Sequence, residues 1–273
     1  MFKQSVNILL GLTLTLSNAI PTLAQNYSNF AQWCSTKEQL APAAQHTVKV
    51  LLEQAQTEDC NLASEELSRY LVLNLISSEI TDISPLSSLT NLEQLILYNN
   101  QITDISPISN LTNLKRLIIS SNQISDLSPL RNLTNLTQLY IGSNPISDIS
   151  PLSNLTELTR LYANHSQISD LTPLSNLTKL EQLYLNHNQV SDLSPLSNLT
   201  NLKYVYLDHN QIKDVAPLGK ITNLEELSLR YNEITEVTPL INLSNLEELY
   251  LYSNPVANQI CPHNPDALCF LRR

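Results

Sequence analysis

Residues 92–111 read LEQLILYNNQITDISPISNL, and the chain returns to this text every 22 residues without inserting or deleting a position. The slot of Asn100 is refilled by Asn122, Asn144, Ser166, Asn188, Asn210, Asn232 and Asn254, with Ser78 in a degenerate first copy. Leu95 recurs as Leu117, Leu139, Leu161, Leu183, Val205, Leu227 and Leu249. Ile102 recurs as Ile124, Ile146, Ile168, Val190, Ile212, Ile234 and Val256. Self-similarity at a fixed period of this length is the signature of a coil of stacked turns.

The residue types follow from the geometry of one turn. Leu95 and Leu97 sit two apart, so in an extended strand both point inward while Gln94, Ile96 and Tyr98 point out. Ile102, Ile105, Ile108 and Leu111 turn inward around the rest of the coil. A single turn buries too little apolar surface to offset the ordering of its backbone, so only stacking makes the array stable. Asn100 and its equivalents fall where the chain bends away from the strand, and their amides are expected to bond backbone groups that the bend leaves without partners. Ser106-Pro107 recurs as Ser84-Pro85, Ser128-Pro129, Ser150-Pro151, Thr172-Pro173, Ser194-Pro195, Ala216-Pro217 and Thr238-Pro239, and reads as a capping hydroxyl before proline in the first turn of a helix. A proline every turn predicts short 3₁₀ segments on the side opposite the strands. The pattern is that of a leucine-rich repeat.

Outside the repeats the chain divides into three further parts. Lys3, an apolar run from Ile8 to Leu16 and Thr22-Leu23-Ala24 fit a cleaved signal peptide over 1–24, which places the product in a secreted or periplasmic location. That run is too short to span a bilayer, and no later stretch is apolar enough. Residues 25–70 form a helical N-terminal cap: Ala44, Val48, Leu51, Leu52 and Ala55 share one face of a helix from Ala43 to Gln56, and Ser64 starts a second helix leading to a strand over 70–75. The repeats occupy 71–256, and a C-terminal cap occupies 257–273. The four cysteines lie outside the repeats, and local pairing, Cys34 with Cys60 and Cys261 with Cys269, is favoured by loop closure and by an array that holds its ends apart. Neither pair has the CxxC spacing of a zinc site. With 25 acidic against 15 basic residues and a formal charge of −10, nucleic acid is excluded as a natural partner.

The repeat LxxLxLxxNxIxDIxPLxxLxx, carried by Leu92, Leu95, Leu97, Asn100, Ile102, Asp104, Ile105, Pro107 and Leu111, resembles the internalin-type class of bacterial leucine-rich repeats. The resemblance implies an α/β fold, a right-handed solenoid of 22-residue repeats with a parallel sheet on the concave face, and a protein partner bound there. The N-terminal segment from Thr47 to Cys60 is similar to that of small secreted, disulfide-capped repeat proteins.

The slots that the core leaves free carry the functional reading. The outward column of Ile96 continues as Ile118, Tyr140, Tyr162, Tyr184, Tyr206, Ser228 and Tyr250, drawing five of the chain's 11 tyrosines into one line. Tyrosine joins a large stiff area to a hydroxyl, which suits recognition, although it also simply favours strands. A second column runs Asn99, Ser121, Ser143, His165, His187, His209, Tyr231 and Ser253, flanked in sequence by Asn164, Asn186, Asp208 and Arg230. Its histidines read as rim residues copied with their repeats, as a pH-sensitive contact, or as a metal site. Tyr98 and Tyr252 extend the same outward surface. The acidic column from Asp82 to Glu236 reads as turn caps in preference to a calcium site, and the repeated Asn-Leu-Thr as turn chemistry in preference to glycosylation. Lys115, Arg116 and Arg160 lie towards one end of the concave edge, and Glu225, Glu226, Glu247 and Glu248 towards the other.

No phosphate loop, nucleophile elbow or carboxylate pair stands apart from the repeat, so the sequence predicts a monomeric, non-enzymatic binding module without cofactor or metal. It recognises a protein or peptide on its concave face. The alternative ligand is a glycan or cell-surface polysaccharide on the tyrosine column.

Overall fold

The computed structural model describes residues 27–257 and 268–270. The expected signal peptide, Cys261 and most of the expected C-terminal cap lie outside these residues. Ten three-residue strands form one sheet in chain order: β1 (Val72–Asn74), β2 (Gln94–Ile96), β3 (Arg116–Ile118), β4 (Gln138–Tyr140), β5 (Arg160–Tyr162), β6 (Gln182–Tyr184), β7 (Tyr204–Tyr206), β8 (Glu226–Ser228), β9 (Glu248–Tyr250) and β10 (Leu268–Phe270). Every neighbouring pair is parallel, and equivalent residues stand side by side, as with Leu95 against Leu117 and Tyr140 against Tyr162. The molecule is a right-handed solenoid with the sheet on its concave face and short 3₁₀ turns such as Ser106–Ile108 on the other. Leu95, Leu97, Ile102, Ile105, Ile108 and Leu111 are at most 1 % exposed, so one continuous core runs through the stack.

Three polar devices hold the coils in register. The amide of Asn100 donates to the carbonyls of Leu75 and Leu97 and accepts from the N–H of Ile80, and Asn122, Asn144, Asn188, Asn210 and Asn232 repeat the pattern one turn on. A second amide ladder was not anticipated from the sequence: Asn91, Asn113, Asn135, Asn201 and Asn223 each donate to a carbonyl of the preceding coil at 2.7–2.9 Å. Where Glu157 and Lys179 replace those asparagines, they pair with each other at 2.6 Å instead.

The third device corrects the expectation for Ser-Pro. The serine makes no capping bond of the expected kind; the cap position is the apolar residue before it, such as Ile105. Asp104 does the capping, its Oδ1 accepting from the Ser106 N–H at 2.7 Å while its Oδ2 accepts from the Ser106 hydroxyl at 2.8 Å. Asp82, Asp126, Asp148, Asp170, Asp192 and Asp214 accept from the equivalent N–H groups. The carboxylate wins because it reaches the free N–H two residues ahead as an Asx turn.

The first repeat is covered by three helices, α1 (Phe30–Ser35), α2 (Pro42–Ala55) and α3 (Cys60–Ser68). The α2 helix runs one residue earlier than expected at each end, because Pro42 suits its first turn and Gln56 turns left-handed with φ 53°. The expected face of Ala44, Val48, Leu51, Leu52 and Ala55 is buried. The α3 helix begins at Cys60 and not at Ser64, since Asp59 accepts the N–H groups of Asn61 and Leu62. The strand that follows is correspondingly short, Val72–Asn74 in place of 70–75. Cys34 and Cys60 are joined by a disulfide that ties α1 to α3. Thr47 donates to the Asp82 carbonyl at 2.6 Å, docking α2 on the first turn.

Candidate functional site

Strand register turns the tyrosine column into a stack. The rings of Tyr140, Tyr162, Tyr184 and Tyr206 lie face to face, with centroids 4.2–4.4 Å apart and planes within 11–13°. Their faces are therefore spent on one another and edges are what they offer, while the Tyr162 hydroxyl donates to Gln182 Oε1 at 2.7 Å and that of Tyr206 bonds Glu226. Arg116 covers the outer face of Tyr140, its guanidinium carbon 5.5 Å from the ring centre. The stack breaks at Ser228, which is fully buried, and Tyr250 stacks on Phe270 instead at 4.7 Å. Burial holds the hydroxyls of Tyr162 and Tyr206 well above the usual phenol range. A hydrogen bond to Glu248 pushes that of Tyr250 up to about 12. Tyr162, Tyr206 and Tyr250 are therefore uncharged at any physiological pH.

The histidine column forms a second stack. His165, His187, His209 and Tyr231 follow one another at 4.2, 4.1 and 4.0 Å with planes within 12–13°. All four, like Asn99, Ser121, Ser143 and Ser253 in the same slot, adopt left-handed backbone with φ of 54–61°. Each non-glycine residue there costs about 1 kcal/mol. The slot is imposed by the turn that ends each strand, and Asn99 and the three histidines are the residue types in it that adopt this region most readily. Burial, then the flanking His165 and His209, depresses the imidazole of His187 below its ordinary value. The parallel rings do not converge on a point, and among the described residues no group of three or more His, Cys, Asp or Glu is arranged to hold a metal ion.

Between the two stacks, by the alternation of the strand, runs the column Asn164, Asn186, Asp208 and Arg230. It is a ladder in its own right: Asn164 Oδ1 accepts the Asn186 N–H, Asn186 Oδ1 accepts that of Asp208, and Asp208 Oδ1 accepts that of Arg230, each at 2.8 Å. Asp208 departs from the expected contact surface. It is 3 % exposed, and its oxygens also take the Ser228 hydroxyl and the Arg230 guanidinium. It holds Arg230 in place, and Arg230 in turn donates to the Tyr252 hydroxyl at 2.9 Å. That bonding to Asp208 holds the guanidinium above its already high range, so Arg230 is always charged. With its histidines, Tyr231 and Tyr252, the ladder lines a groove of about 340 Å³. At its N-terminal end stands Gly142, where a Cβ would meet the Asn164 carbonyl oxygen at 2.8 Å.

Of the other sequence-predicted residues, Tyr98 is 44 % exposed and remote from both stacks along the axis. Of the charges at the edge, Lys115 pairs with Glu93 at 2.8 Å and Glu225 with Lys203 at 3.3 Å. Cys261 lies outside the described residues.

The family profile described as "Leucine Rich repeats (2 copies)" matches residues 69–110, 112–154, 156–198, 178–220 and 222–264. This chain belongs to the leucine-rich repeat family. Its repeats are of the bacterial internalin type. A leucine-rich repeat protein of Leptospira interrogans is 28% identical with a TM-score of 0.68, over 71% of this chain and 52% of that one. The leucine-rich repeat chain described here thus spans about half the length of the Leptospira protein. Internalin C2 of Listeria monocytogenes is also 28% identical, with a TM-score of 0.55 over 81% and 88% of the two chains. The ectodomain of a plant receptor kinase from Arabidopsis thaliana shares the fold at 24% identity and a TM-score of 0.59, over 67% of this chain and 24% of its own. No relative among curated protein sequences matches the chain significantly. Among the described residues no helix is long and apolar enough to cross a membrane.

Proposed function

We propose that this leucine-rich repeat protein is an exported, non-enzymatic binding module that takes a protein or peptide on its concave face. The observation that carries the reading is the pair of ordered aromatic stacks with a polar ladder between them, on columns that the core does not constrain. Rigid aromatic edges with hydroxyls are what protein hot spots are made of. A glycan platform needs open ring faces for the sugar to lie on, and here the tyrosine faces cover one another. That favours the protein ligand over the polysaccharide. The Cys34–Cys60 disulfide supports an oxidising compartment, in keeping with export through the N-terminal signal.

The test replaces Tyr162, Tyr184 and Tyr206 together by Ser. Their inward neighbours Leu161, Leu183 and Val205 are untouched, so circular dichroism should remain that of the parent. Binding of the partner captured from extracellular extract should be lost, with each truncation costing about 2 kcal/mol or more. The control Arg131→Ser, on the opposite side and exposed, should bind as the parent does. Normal binding by the folded triple variant, with loss in the control, would end the concave-face reading.

A further inference from the structure

The groove has an imbalance of hydrogen-bonding groups that points to the chemistry of its ligand. Repeat-to-repeat bonding consumes its side-chain acceptors: the oxygens of Asn164, Asn186 and Asp208 all receive N–H groups of the protein itself. The donors are left over. Because each asparagine turns its oxygen to the next coil, its Nδ2 group is turned away from it, and neither Asn164 nor Asn186 Nδ2 bonds any described residue. Neighbouring coils repeat at about 4.8 Å, so these donors form a row along the solenoid axis. At the far end stands Arg230, its charge held by Asp208.

The histidine stack adds a second constraint. Two imidazolium rings face to face at 4.1–4.2 Å repel each other, so the stack gains charge readily only when an anion lies along its edge. The charged or titratable groups around His187 are His165, His209 and Asp208, and Asp208 is committed to Arg230. Beyond them Tyr231 is stacked on His209, Tyr252 accepts from Arg230, and Glu233 pairs with Lys213 at 3.3 Å. No unpaired carboxylate among these groups faces the stack to supply that anion from within the protein.

We infer that this groove takes an acidic peptide segment laid along the axis, its carboxylates and carbonyls meeting the free amides of Asn164 and Asn186 and the edges of His165, His187 and His209. The inference rests on the concave-face reading and gives its ligand a chemistry. It also makes binding and protonation linked: an anion on the stack raises the affinity of the imidazoles for protons, so binding takes up protons and tightens as the solution is acidified through the histidine range.

The test uses the full chain with hexaglutamate, hexaglutamine and a galacturonate hexamer in calorimetry at pH 7.5 and pH 5.5, and follows the histidine ring resonances by NMR. Hexaglutamate should bind at least tenfold tighter at the lower pH and should raise the titration midpoint of His187. Hexaglutamine should bind more weakly at both. Asn164→Asp keeps the oxygen that the Asn186 N–H needs while replacing the free donor by an acceptor, and it should lose at least tenfold in affinity. Hexaglutamate that leaves the wild-type histidine titration unmoved overturns the inference whatever the variant does. So does a galacturonate hexamer that binds where hexaglutamate does not, which would assign the groove to an anionic glycan. Loss of the captured partner in the tyrosine triple variant, together with silent hexaglutamate, would sink this inference alone and leave the concave-face reading standing.

Discussion

Asn188 spends its whole amide on the backbone: its oxygen takes the Ile168 N–H at 3.0 Å, and its nitrogen donates to the carbonyls of Ala163 at 2.9 Å and Leu185 at 3.0 Å. Removing one side of a buried hydrogen bond strands the other, so Asn188→Ala should cost about 1 to 3 kcal/mol in urea unfolding. Ser166 is the natural gap in this ladder. Its hydroxyl is buried without a partner, and the Ile146 N–H, which an asparagine at 166 would meet, turns back to the Asn144 carbonyl at 2.8 Å. Ser166→Asn should therefore stabilise by about 1 kcal/mol, raising the urea midpoint. An unchanged or lowered midpoint would show that the coil at 166 has adapted to serine.

The 3₁₀ turn is an element held by one carboxylate. Asp126 is held below the usual carboxylate range chiefly by the Ser128 backbone N–H, and Asp170 and Asp192 chiefly by the hydroxyls of Thr172 and Ser194. Each has a lower pKa folded than unfolded. Its contribution is fully present above the unfolded value of about 4 and disappears as pH falls through the folded one. The urea midpoint should accordingly drop between pH 5 and pH 3. Replacing Asp126, Asp170 and Asp192 by Asn, which keeps an acceptor but cannot titrate, should flatten that fall; an undiminished slope would place the acid sensitivity elsewhere.

Across the whole molecule, stability is a sum over coils and the ends are the exposed terms. The Cys34–Cys60 disulfide closes a segment of 26 residues across the helices that cover the first coil. Reduction should remove about 3.5 kcal/mol by the loop-entropy relation, and hydrogen exchange should show the amides near α1, α3 and β1 opening before those of β5 and β6. Central coils that exchange first would separate the disulfide from the stability of the array.

The repeat's length, the inward leucines, the amide ladder at Asn100 and the capping role of the acidic column were all legible in residues 92–111. Each is a local requirement that the chain restates every coil, and repetition exposes it. Two aromatic columns were legible as columns for the same reason. What they do was not. Whether Tyr162 shows a face or an edge depends on ring stacking across coils, and nothing within one coil specifies it. The left-handed slot of His187 carries no glycine to announce it. The burial of Asp208 is decided by Ser228 and Arg230, one coil away, and α3 starts at Cys60 because a single carboxylate outcompetes the hydroxyl of Ser64. By itself the sequence determined the coil, since the inward leucines, the amide slot and the turn-capping carboxylate are restated in every 22 residues; the tertiary structure alone decided the groove, because the side chains in its free slots differ from coil to coil and their donors and acceptors are sorted by bonds that run between turns.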